Sequence, residues 1–405
     1  MMDDRTTLIH SARLVTDGAV VENGWVLFGG SSIAASGAGH SWRAIVADAQ
    51  PESIVEVDGD GAWLTPGFVD IHGHGGGGAS FDDGPDAIRT AMALHGRHGT
   101  TRFVLSLVTA SIETLELELA AVATLARTDS RVLGSHLEGP FLDPGHKGAH
   151  NPSLLAHAER DSIDRLLVAA DGTLRQITVA PELQGGMDAV RRFADEGVAV
   201  AVGHTGADFG QTLAAFDAGA SILTHAFNGM DGIHHRAPGP IAAATRTPGV
   251  TIEIINDGIH VHPEVVRLTF AGAPGRVALV SDAMAAAGST DGEYLLGGLA
   301  VTVRDGVARL TDGDSIAGST LTLDDALRRS VADVGIDVGT AVRALTETPA
   351  RAVGRGHDLG RLAPDYAADA VLLDDTFGVL AVWAEGRVIR PTTSTSTNDT
   401  TRMPT

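Results

Sequence analysis

The chain contains no cysteine, which removes several kinds of chemistry at once. Without thiols there are no disulfide bonds, no cysteine nucleophile, and no zinc or iron–sulfur site built on thiolates. Basic residues are also few, since 29 Lys and Arg stand against 51 Asp and Glu and give a formal charge of -22. Such a chain has no basic face for nucleic acid or an anionic membrane, so an anionic substrate must be held by a few local cations or a metal.

Long apolar runs are missing as well. No stretch of about 18 consecutive apolar residues occurs, which argues against a membrane-spanning helix. Residues 1–5 are not followed by the apolar segment that is typical of a secretory signal peptide. We therefore expect a cytoplasmic protein without a membrane or nucleic-acid partner.

Both ends of the chain carry short β segments, which are separated by turn signals such as Asp-Gly, Asn-Gly and Gly-Gly. We predict that residues 1–62 and 361–391 together form a small β-sandwich domain. The last residues, 392–405, are rich in Thr, Ser and Asn and are predicted to be a disordered tail. The β segments are residues 8–15, 25–28, 54–57, 366–375 and 380–389.

Between the two ends, apolar runs alternate with stretches of helical period. Strands that are apolar on both faces and alternate with helices indicate a parallel sheet covered on both sides. Eight such units match a (β/α)8 barrel better than an open sheet, so we predict an α/β fold in which residues 63–360 form a TIM-like barrel. The runs are residues 67–71, 102–108, 132–137, 176–180, 198–202, 221–223, 251–255 and 277–280, and candidate helices between them include 86–98, 112–127, 153–170, 187–196 and 208–218.

Imidazoles and carboxylates follow the ends of many of these runs. In a barrel all C-terminal strand ends open onto one face, which is where such enzymes place their chemistry. Residues far apart in the sequence would therefore converge, and imidazole mixed with carboxylate suits Zn²⁺ or Fe²⁺. Each residue alone has an ordinary explanation as a hydrogen-bonded or solvent-exposed group, but their shared position favours a metal site. The residues are His72, His74, Glu138, His204, His225 and Asp282.

Residues 66–74, with the sequence Pro-Gly-Phe-Val-Asp-Ile-His-Gly-His, resemble the segment that opens the barrel of the amidohydrolase superfamily. Further segments resemble the N-acetylglucosamine-6-phosphate deacetylase family, and the similarity runs from residue 8 to residue 390. Many amidohydrolases use a carbamylated lysine on the fourth strand, whereas this family uses a glutamate on the third. Residues 180–182, at the end of the fourth strand, contain no lysine. The further segments are residues 136–142, 147–152, 203–205, 224–230, 257–261 and 279–284.

The resemblance implies a metal-dependent enzyme with one or two divalent ions per subunit, with zinc as the first choice and Fe²⁺ as the alternative. Asp282 matches the family's catalytic acid and base. His72 and His74 would hold a second ion that Glu138 bridges to the first. The ligands of the first ion would be Glu138, His204 and His225.

Other positions match the family's contacts to sugar and phosphate. Arg236 would bind the phosphate, because a guanidinium matches phosphate oxygens bidentately. In relatives this arginine can come from a neighbouring subunit, which implies a homodimer. Either His150 or His260 would stabilise the oxyanion, and the sequence leaves that choice open. The implied substrate-binding set is Ala149, His150, Asn228, Gly229, Arg236, Asp257, Gly258, Ile259, His260, Ile316, Ala317 and Gly318.

The implied reaction is metal-dependent hydrolysis of the acetamido group of N-acetylglucosamine 6-phosphate, giving glucosamine 6-phosphate and acetate. N-acetylgalactosamine 6-phosphate is an alternative substrate, because it offers the same amide and phosphate. Hydrolysis of a cyclic amide or an aminopurine agrees less well with Arg236 and with residues 147–152. A non-catalytic amidohydrolase-like scaffold is an alternative of another class, although such proteins tend to lose the ligands that this chain keeps.

Overall fold

The computed structural model describes residues 6–47, 54–313 and 315–391, and the tail predicted to be disordered, residues 392–405, lies outside them. The strands form two large sheets: a mixed one built from both ends of the chain and a parallel one built from its middle. The predicted α/β class with a barrel and a small β domain is confirmed. None of the helices in the described ranges is long and apolar enough to span a bilayer.

The mixed sheet joins segments that are about 300 residues apart in the sequence. Its first hairpin turns at Asp17 and Gly18, whose φ angles of 53° and 74° fit the two-residue turn that Asp-Gly favours. A short helix, α1 (Trp42–Val46), follows the third strand. In spatial order the strands are β21 (Arg387–Arg390), β20 (Val379–Ala384), β19 (Ala370–Leu373), β5 (Trp63–Pro66), β1 (Thr6–Thr16), β2 (Ala19–Gly29) and β3 (Ser32–Ala38), with β4 (Ile54–Asp58) beside β1.

This sheet folds over on itself and forms the predicted sandwich. Phe28 on β2 and Trp383 on β20 belong to distant strands, yet their rings meet edge to face with centroids 6.4 Å apart. The strand β1 has an irregularity between Ile9 and Ala12, and it pairs with β4 before this point and with β5 after it. Because β5 lies in this sheet, we propose that the domain boundary follows Pro66 instead of preceding residue 63.

The parallel sheet is the barrel. Its strands are buried along almost their whole length, because one face of each fills the interior and the other lies under a helix. Each strand coincides with one of the apolar runs predicted from the sequence. In spatial order they are β6 (Phe68–Asp70), β9 (Thr100–Val108), β10 (Val132–Glu138), β11 (Leu174–Val179), β12 (Ala199–Val202), β13 (Ala220–Leu223), β14 (Thr251–Ile254) and β15 (Val277–Leu279).

Hydrogen bonds at the mouth join the first barrel strand, β6, to the last, β15. Ser281 Oγ donates to Asp70 Oδ2 over 2.6 Å, and the N–H of Asp282 donates to the carbonyl of His72 over 2.8 Å. His72 and Asp282 are candidate ligands, and Asp70 and Ser281 lie within two residues of them. Closure of the barrel therefore fixes the position of His72 relative to Asp282.

Helices cover the outside of the barrel, and one of them begins later than predicted. The helix expected at 153–170 begins only at Arg160, because Pro152–Leu154 forms a 3₁₀ turn in which Asn151 accepts the N–H of Ser153. The helices are α2 (Pro85–Arg97), α3 (Ile112–Ala126), α4 (Arg160–Ala170), α5 (Gly186–Asp195), α6 (Phe209–Asp217), α7 (Gly239–Arg246), α8 (Pro263–Gly272), α9 (Leu323–Ala332), α10 (Val338–Leu345) and α11 (Glu347–Ala352), with further 3₁₀ turns at Phe81–Asp83 and Pro144–His146.

A three-stranded antiparallel sheet lies at the barrel mouth, and the sequence did not predict it. Its residue Leu296 packs in a cluster with Val108, Met284 and Ala317, so the small sheet is anchored on the barrel. The strands are β16 (Gly292–Leu296), β17 (Leu299–Arg304) and β18 (Val307–Leu310), and a two-stranded ribbon of β7 (Gly75–Gly76) and β8 (Ala79–Ser80) also lies at the mouth.

Candidate active site

The residues predicted at the strand ends come together at the C-terminal mouth of the barrel. Glu138 is the last residue of β10, and His204 and His225 follow β12 and β13. All of the predicted strand-end residues are buried. Two groups of side chains bring ligand atoms within 4.8 Å of one another: His72, His74, Glu138 and Asp282, and Glu138, His150 and His204.

Glu138 lies at the centre of this cluster. Its Oε1 is 2.9 Å from His225 Nε2, 3.1 Å from His204 Nε2 and 3.3 Å from His72 Nε2. The Nε2 atoms of His204 and His225 are themselves only 3.1 Å apart. Three imidazole nitrogens thus lie close to one carboxylate oxygen, and such crowding of ligand atoms is typical of a metal site.

The other oxygen, Glu138 Oε2, faces different side chains. It is 3.1 Å from His74 Nε2 and 3.4 Å from His150 Nε2. Asp282 Oδ1 is 3.3 Å from His74 Nε2 and 3.6 Å from His72 Nε2. Glu138 therefore lies between two candidate ion positions. The first position comprises Glu138, His204 and His225, and the second position comprises Glu138, His72, His74 and Asp282.

The donor atoms of the first position fit a divalent cation. His204 Nδ1 is 2.8 Å from the backbone carbonyl of His146. Because a carbonyl only accepts, this Nδ1 carries the proton and His204 Nε2 presents a lone pair to the site. That lone pair and the negative Oε1 of Glu138 repel each other unless a proton or a cation lies between them. Imidazole nitrogen with carboxylate oxygen is a ligand set that suits Zn²⁺ and Fe²⁺.

The buried groups of the site shift one another's pKa values. Burial alone would raise the pKa of Glu138, but the surrounding imidazoles, His72 first among them, hold it well below its usual range. Burial would lower the pKa of His74, yet its contacts with Asp282 and Glu138 raise it to about 9. For His150 burial dominates, and the pKa falls to about 4. At pH 7 the Glu138 carboxylate is therefore ionised, and His150 is neutral.

Two of the candidate ligands have a left-handed backbone that non-glycine residues rarely adopt. The φ angles are 47° for His204 and 45° for Asp282. Asp282 is held there by its N–H bond to the His72 carbonyl and by the N–H of Ser319, which donates to the Asp282 carbonyl over 2.7 Å. Such strain persists where the surrounding structure enforces it, and it clusters at functional sites.

A cavity of about 310 Å³ adjoins the two ion positions. This volume is at the lower end of the range of ligand pockets and admits one small molecule. Ala317, which was predicted to contact substrate, instead packs in the cluster beneath the three-stranded sheet. The predicted substrate-binding residues that do line the cavity are Ala149, His150, Asn228, Gly229, His260, Ile316 and Gly318.

Residues 63–389 match the model of the Amidohydrolase family. The chain belongs to the amidohydrolase family. The N-acetylgalactosamine-6-phosphate deacetylase of Escherichia coli O157:H7 is 38% identical over 349 residues, which are 85% of this chain and 92% of the relative. The N-acetylglucosamine-6-phosphate deacetylase of Vibrio furnissii is 34% identical, and the match covers 80% of this chain and 82% of that relative.

Solved structures agree with this membership. One is a mutant N-acetyl-D-glucosamine-6-phosphate deacetylase from Mycobacterium smegmatis in complex with N-acetyl-D-glucosamine-6-phosphate. It is 39% identical and has a TM-score of 0.89, and the match covers 95% of this chain and 100% of that one. The family resemblance predicted from the motifs is confirmed.

The loop after β14 carries His260 to the cavity of this amidohydrolase. Asp257 Oδ2 is 2.7 Å from His260 Nδ1, and Asp257 Oδ1 accepts the N–H groups of Ile259 and His260. Burial would raise the pKa of Asp257 and lower that of His260, but their ion pair reverses both shifts. Asp257, Gly258 and Ile259 thus shape this loop and do not themselves line the cavity.

Arg236, the predicted phosphate ligand, is not at the cavity of its own chain. It lies in an exposed turn that is closed by pairing of His234 with Ala237. Among the residues in the described ranges that line the amidohydrolase cavity there is no Lys or Arg. A contribution of Arg236 from a neighbouring subunit stays a prediction.

Sequence reasoning missed Glu253, which is fully buried inside the amidohydrolase barrel. Its carboxylate lies 3.0 Å from His72 Nδ1 and 2.7 Å from Gln176 Nε2. The available signal was a lone carboxylate within the apolar run 251–255. Leu296 and Ser315 also line the cavity, and both were missed because the three-stranded sheet was not predicted.

Proposed function

We propose that this amidohydrolase removes the acetyl group of N-acetylglucosamine 6-phosphate, giving glucosamine 6-phosphate and acetate. The observation that carries the proposal is the pair of metal-ligand groups around Glu138, beside a cavity for one small molecule. Relatives named for this reaction support it. The reaction belongs to amino sugar metabolism, and we place it in the cytoplasm because an anionic sugar phosphate does not cross a bilayer unaided.

We assign zinc to the first position, with Fe²⁺ as the alternative, and a second ion to the second position. When bound, such an ion would supply Lewis acidity, which polarises an amide carbonyl and lowers the pKa of bound water to about 7. Glu138 would serve as a ligand in both positions, and His204 is oriented by the His146 carbonyl. Metal analysis of protein purified without chelators distinguishes one ion per chain from two, and identifies the element.

Asp282 is the residue to which we assign proton transfer. Its side chain lines the cavity and lies 3.3 Å from His74 Nε2. Burial would raise the pKa of Asp282, but the contact with His74 and the proximity of His72 lower it. Asp282 is therefore a carboxylate at neutral pH and can accept a proton from the attacking water. We propose that it then donates this proton to the leaving nitrogen, which departs as the free amine.

The pKa values of the two cavity histidines are shifted in opposite directions, and this difference favours one of them for the oxyanion. His150 is neutral at pH 7, since its pKa lies at about 4. His260 is paired with Asp257 through Nδ1, which leaves Nε2 for a ligand, and the pair raises the pKa of His260. We propose that His260 stabilises the negative charge that develops on the amide oxygen and that His150 donates or accepts a neutral hydrogen bond.

The phosphate needs a cation that the cavity of one chain does not supply among its described lining residues. A chain with a formal charge of -22 repels anions, so a local guanidinium matters more than usual. We propose that the enzyme is a homodimer in which Arg236 of the partner subunit binds the substrate phosphate.

We expect Arg236→Ala to raise KM for N-acetylglucosamine 6-phosphate by roughly 10- to 100-fold, because hydrogen bonds to a charged group contribute about 1.5–3 kcal/mol. The change in kcat should be small, since the phosphate is bound equally in the ground state and the transition state. Steady-state acetate release measures both constants. Arg246→Ala, at another exposed arginine, is the matched control and should behave as wild type. A wild-type KM in the Arg236→Ala variant contradicts the phosphate assignment.

Acetate release from metal-replete protein tests the proposed reaction. We expect turnover of N-acetylglucosamine 6-phosphate and a far lower kcat/KM for N-acetylglucosamine without the phosphate. N-acetylgalactosamine 6-phosphate is the second candidate, because the E. coli relative at 38% identity bears that name. The ratio of kcat/KM for the two epimers decides between them, and no acetate from either contradicts a deacetylase function.

A further inference from the structure

Glu253 is a carboxylate inside the barrel, one layer below the candidate ions. It lies on β14 and has no exposed surface. Its Oε1 accepts a hydrogen bond from Gln176 Nε2 over 2.7 Å. Its Oε2 lies 3.0 Å from His72 Nδ1 and accepts the backbone N–H of His225 over 3.2 Å. One carboxylate thus contacts a histidine of each ion position.

The contact with His72 decides which of its ring nitrogens is free. Glu253 Oε2 accepts from the His225 N–H and lies 3.0 Å from His72 Nδ1, so His72 Nδ1 is the donor of this contact and Nε2 is left to face the second position. His72 Nε2 is buried and has no hydrogen-bond partner, although Glu138 Oε1 and Asp282 Oδ1 lie 3.3 Å and 3.6 Å away. The nitrogen is therefore placed as a ligand atom.

Glu253 is the side chain that contacts His72 Nδ1, and the neighbouring His136 is held by other groups. The adjacent ring of His136, whose centroid is 4.6 Å from that of His72, is itself bound by Ser106 Oγ and Thr178 Oγ1, each at 2.9 Å. In the first position His204 is oriented by a backbone carbonyl. For His72 the orienting group is the side-chain carboxylate of Glu253, and such a partner also makes an imidazole a better electron donor.

We propose that Glu253 is a positioning residue that holds His72 in its ligating tautomer and thereby sets the affinity of the second position for its ion. This inference rests on the metal-dependent function proposed above and concerns the second position alone. Glu253 touches neither the substrate cavity nor the reacting atoms, so its effect passes through His72.

Two substitutions separate the charge of Glu253 from its hydrogen bonds. In Glu253→Gln the new amide oxygen can still accept from His72 and His225. Its N–H can donate to Gln176 Oε1, which is buried and without a partner at present, once the Gln176 amide turns over. Glu253→Leu removes the acceptor and leaves His72 free to rotate or change tautomer.

The readout is metal binding, measured by zinc titration against a competing chelator and by metal content per chain. We expect the affinity of the second position to fall by about 10-fold in Glu253→Gln and by roughly 100-fold in Glu253→Leu. The first position should keep its wild-type affinity in both. When the variants are titrated with cobalt instead of zinc, the visible absorption that accompanies binding of the second ion should appear at higher cobalt concentrations than in the wild type.

Thr178→Val is the matched control, because it removes buried hydrogen bonds in the same layer without touching a ligand. It should lower the unfolding temperature and leave both ion affinities unchanged. The inference is overturned if both Glu253 variants bind the second ion with wild-type affinity. It is also overturned if Thr178→Val weakens binding of the second ion as much as the Glu253 variants do. A wild-type chain that never takes a second ion also overturns it, whereas acetate release by that chain would leave the proposed reaction intact.

Discussion

Replacing Asp282 with asparagine is expected to lower kcat for acetate release by roughly 10³-fold while the ion of the first position stays bound. Asparagine has nearly the shape of aspartate but cannot take up a proton from water at neutral pH. Asp282 lines the cavity and is ionised, so the substitution removes the one proton acceptor that we place beside the scissile amide. Steady-state kinetics together with metal analysis of the same sample measure both parts of the expectation.

A neighbouring aspartate supplies the control for this experiment. Asp82 lies at the same mouth, where it accepts the N–H of Val108 over 3.2 Å and the hydroxyl of Ser80 over 3.0 Å, and it is not part of the cavity wall. Asp82→Asn should change kcat only slightly. If Asp282→Asn retained near-normal kcat with metal bound, another group would have to carry the proton.

The positions of the candidate ligands were predictable because they depend on very little structural detail. A parallel barrel brings all C-terminal strand ends to one mouth, whatever the exact strand lengths. It was therefore enough to recognise that Glu138, His204 and His225 each follow an apolar run. Errors of one or two residues in the strand bounds do not move these side chains away from the mouth.

Other features were not predictable because they depend on packing that the sequence pattern does not show. The three-stranded sheet of β16 to β18 has only partly buried strands, so its residues lack a continuous apolar run. Glu253 lies within an apolar run, and its role follows from contacts with Gln176 and His72, which are 77 and 181 residues away. The late start of α4 follows from the turn at Pro152–Leu154, where local side-chain hydrogen bonds compete with the helix.

Glu138→Gln is expected to empty both ion positions and to lower turnover by several orders of magnitude. Glu138 is the one side chain that the two positions share, and its oxygens lie between 2.9 Å and 3.4 Å from five imidazole nitrogens. The amide of glutamine has no charge, and its N–H group can donate to a histidine lone pair that a cation would otherwise bind. The variant can thus satisfy its histidines without metal, so the barrel should remain folded.

Metal content per chain, acetate release and thermal unfolding with and without added zinc together measure this effect. Zinc should raise the unfolding temperature of the wild type, because an ion that binds only the folded state stabilises it, but it should leave Glu138→Gln unchanged. Glu182→Gln is the matched control, since Glu182 also follows a barrel strand and accepts from Thr205 Oγ1 and the Gly206 N–H, each at 2.6 Å. That variant should keep its ions. A Glu138→Gln protein with wild-type metal content would mean that the histidines hold the ions without a bridging carboxylate, and the two positions could then no longer be regarded as one coupled site.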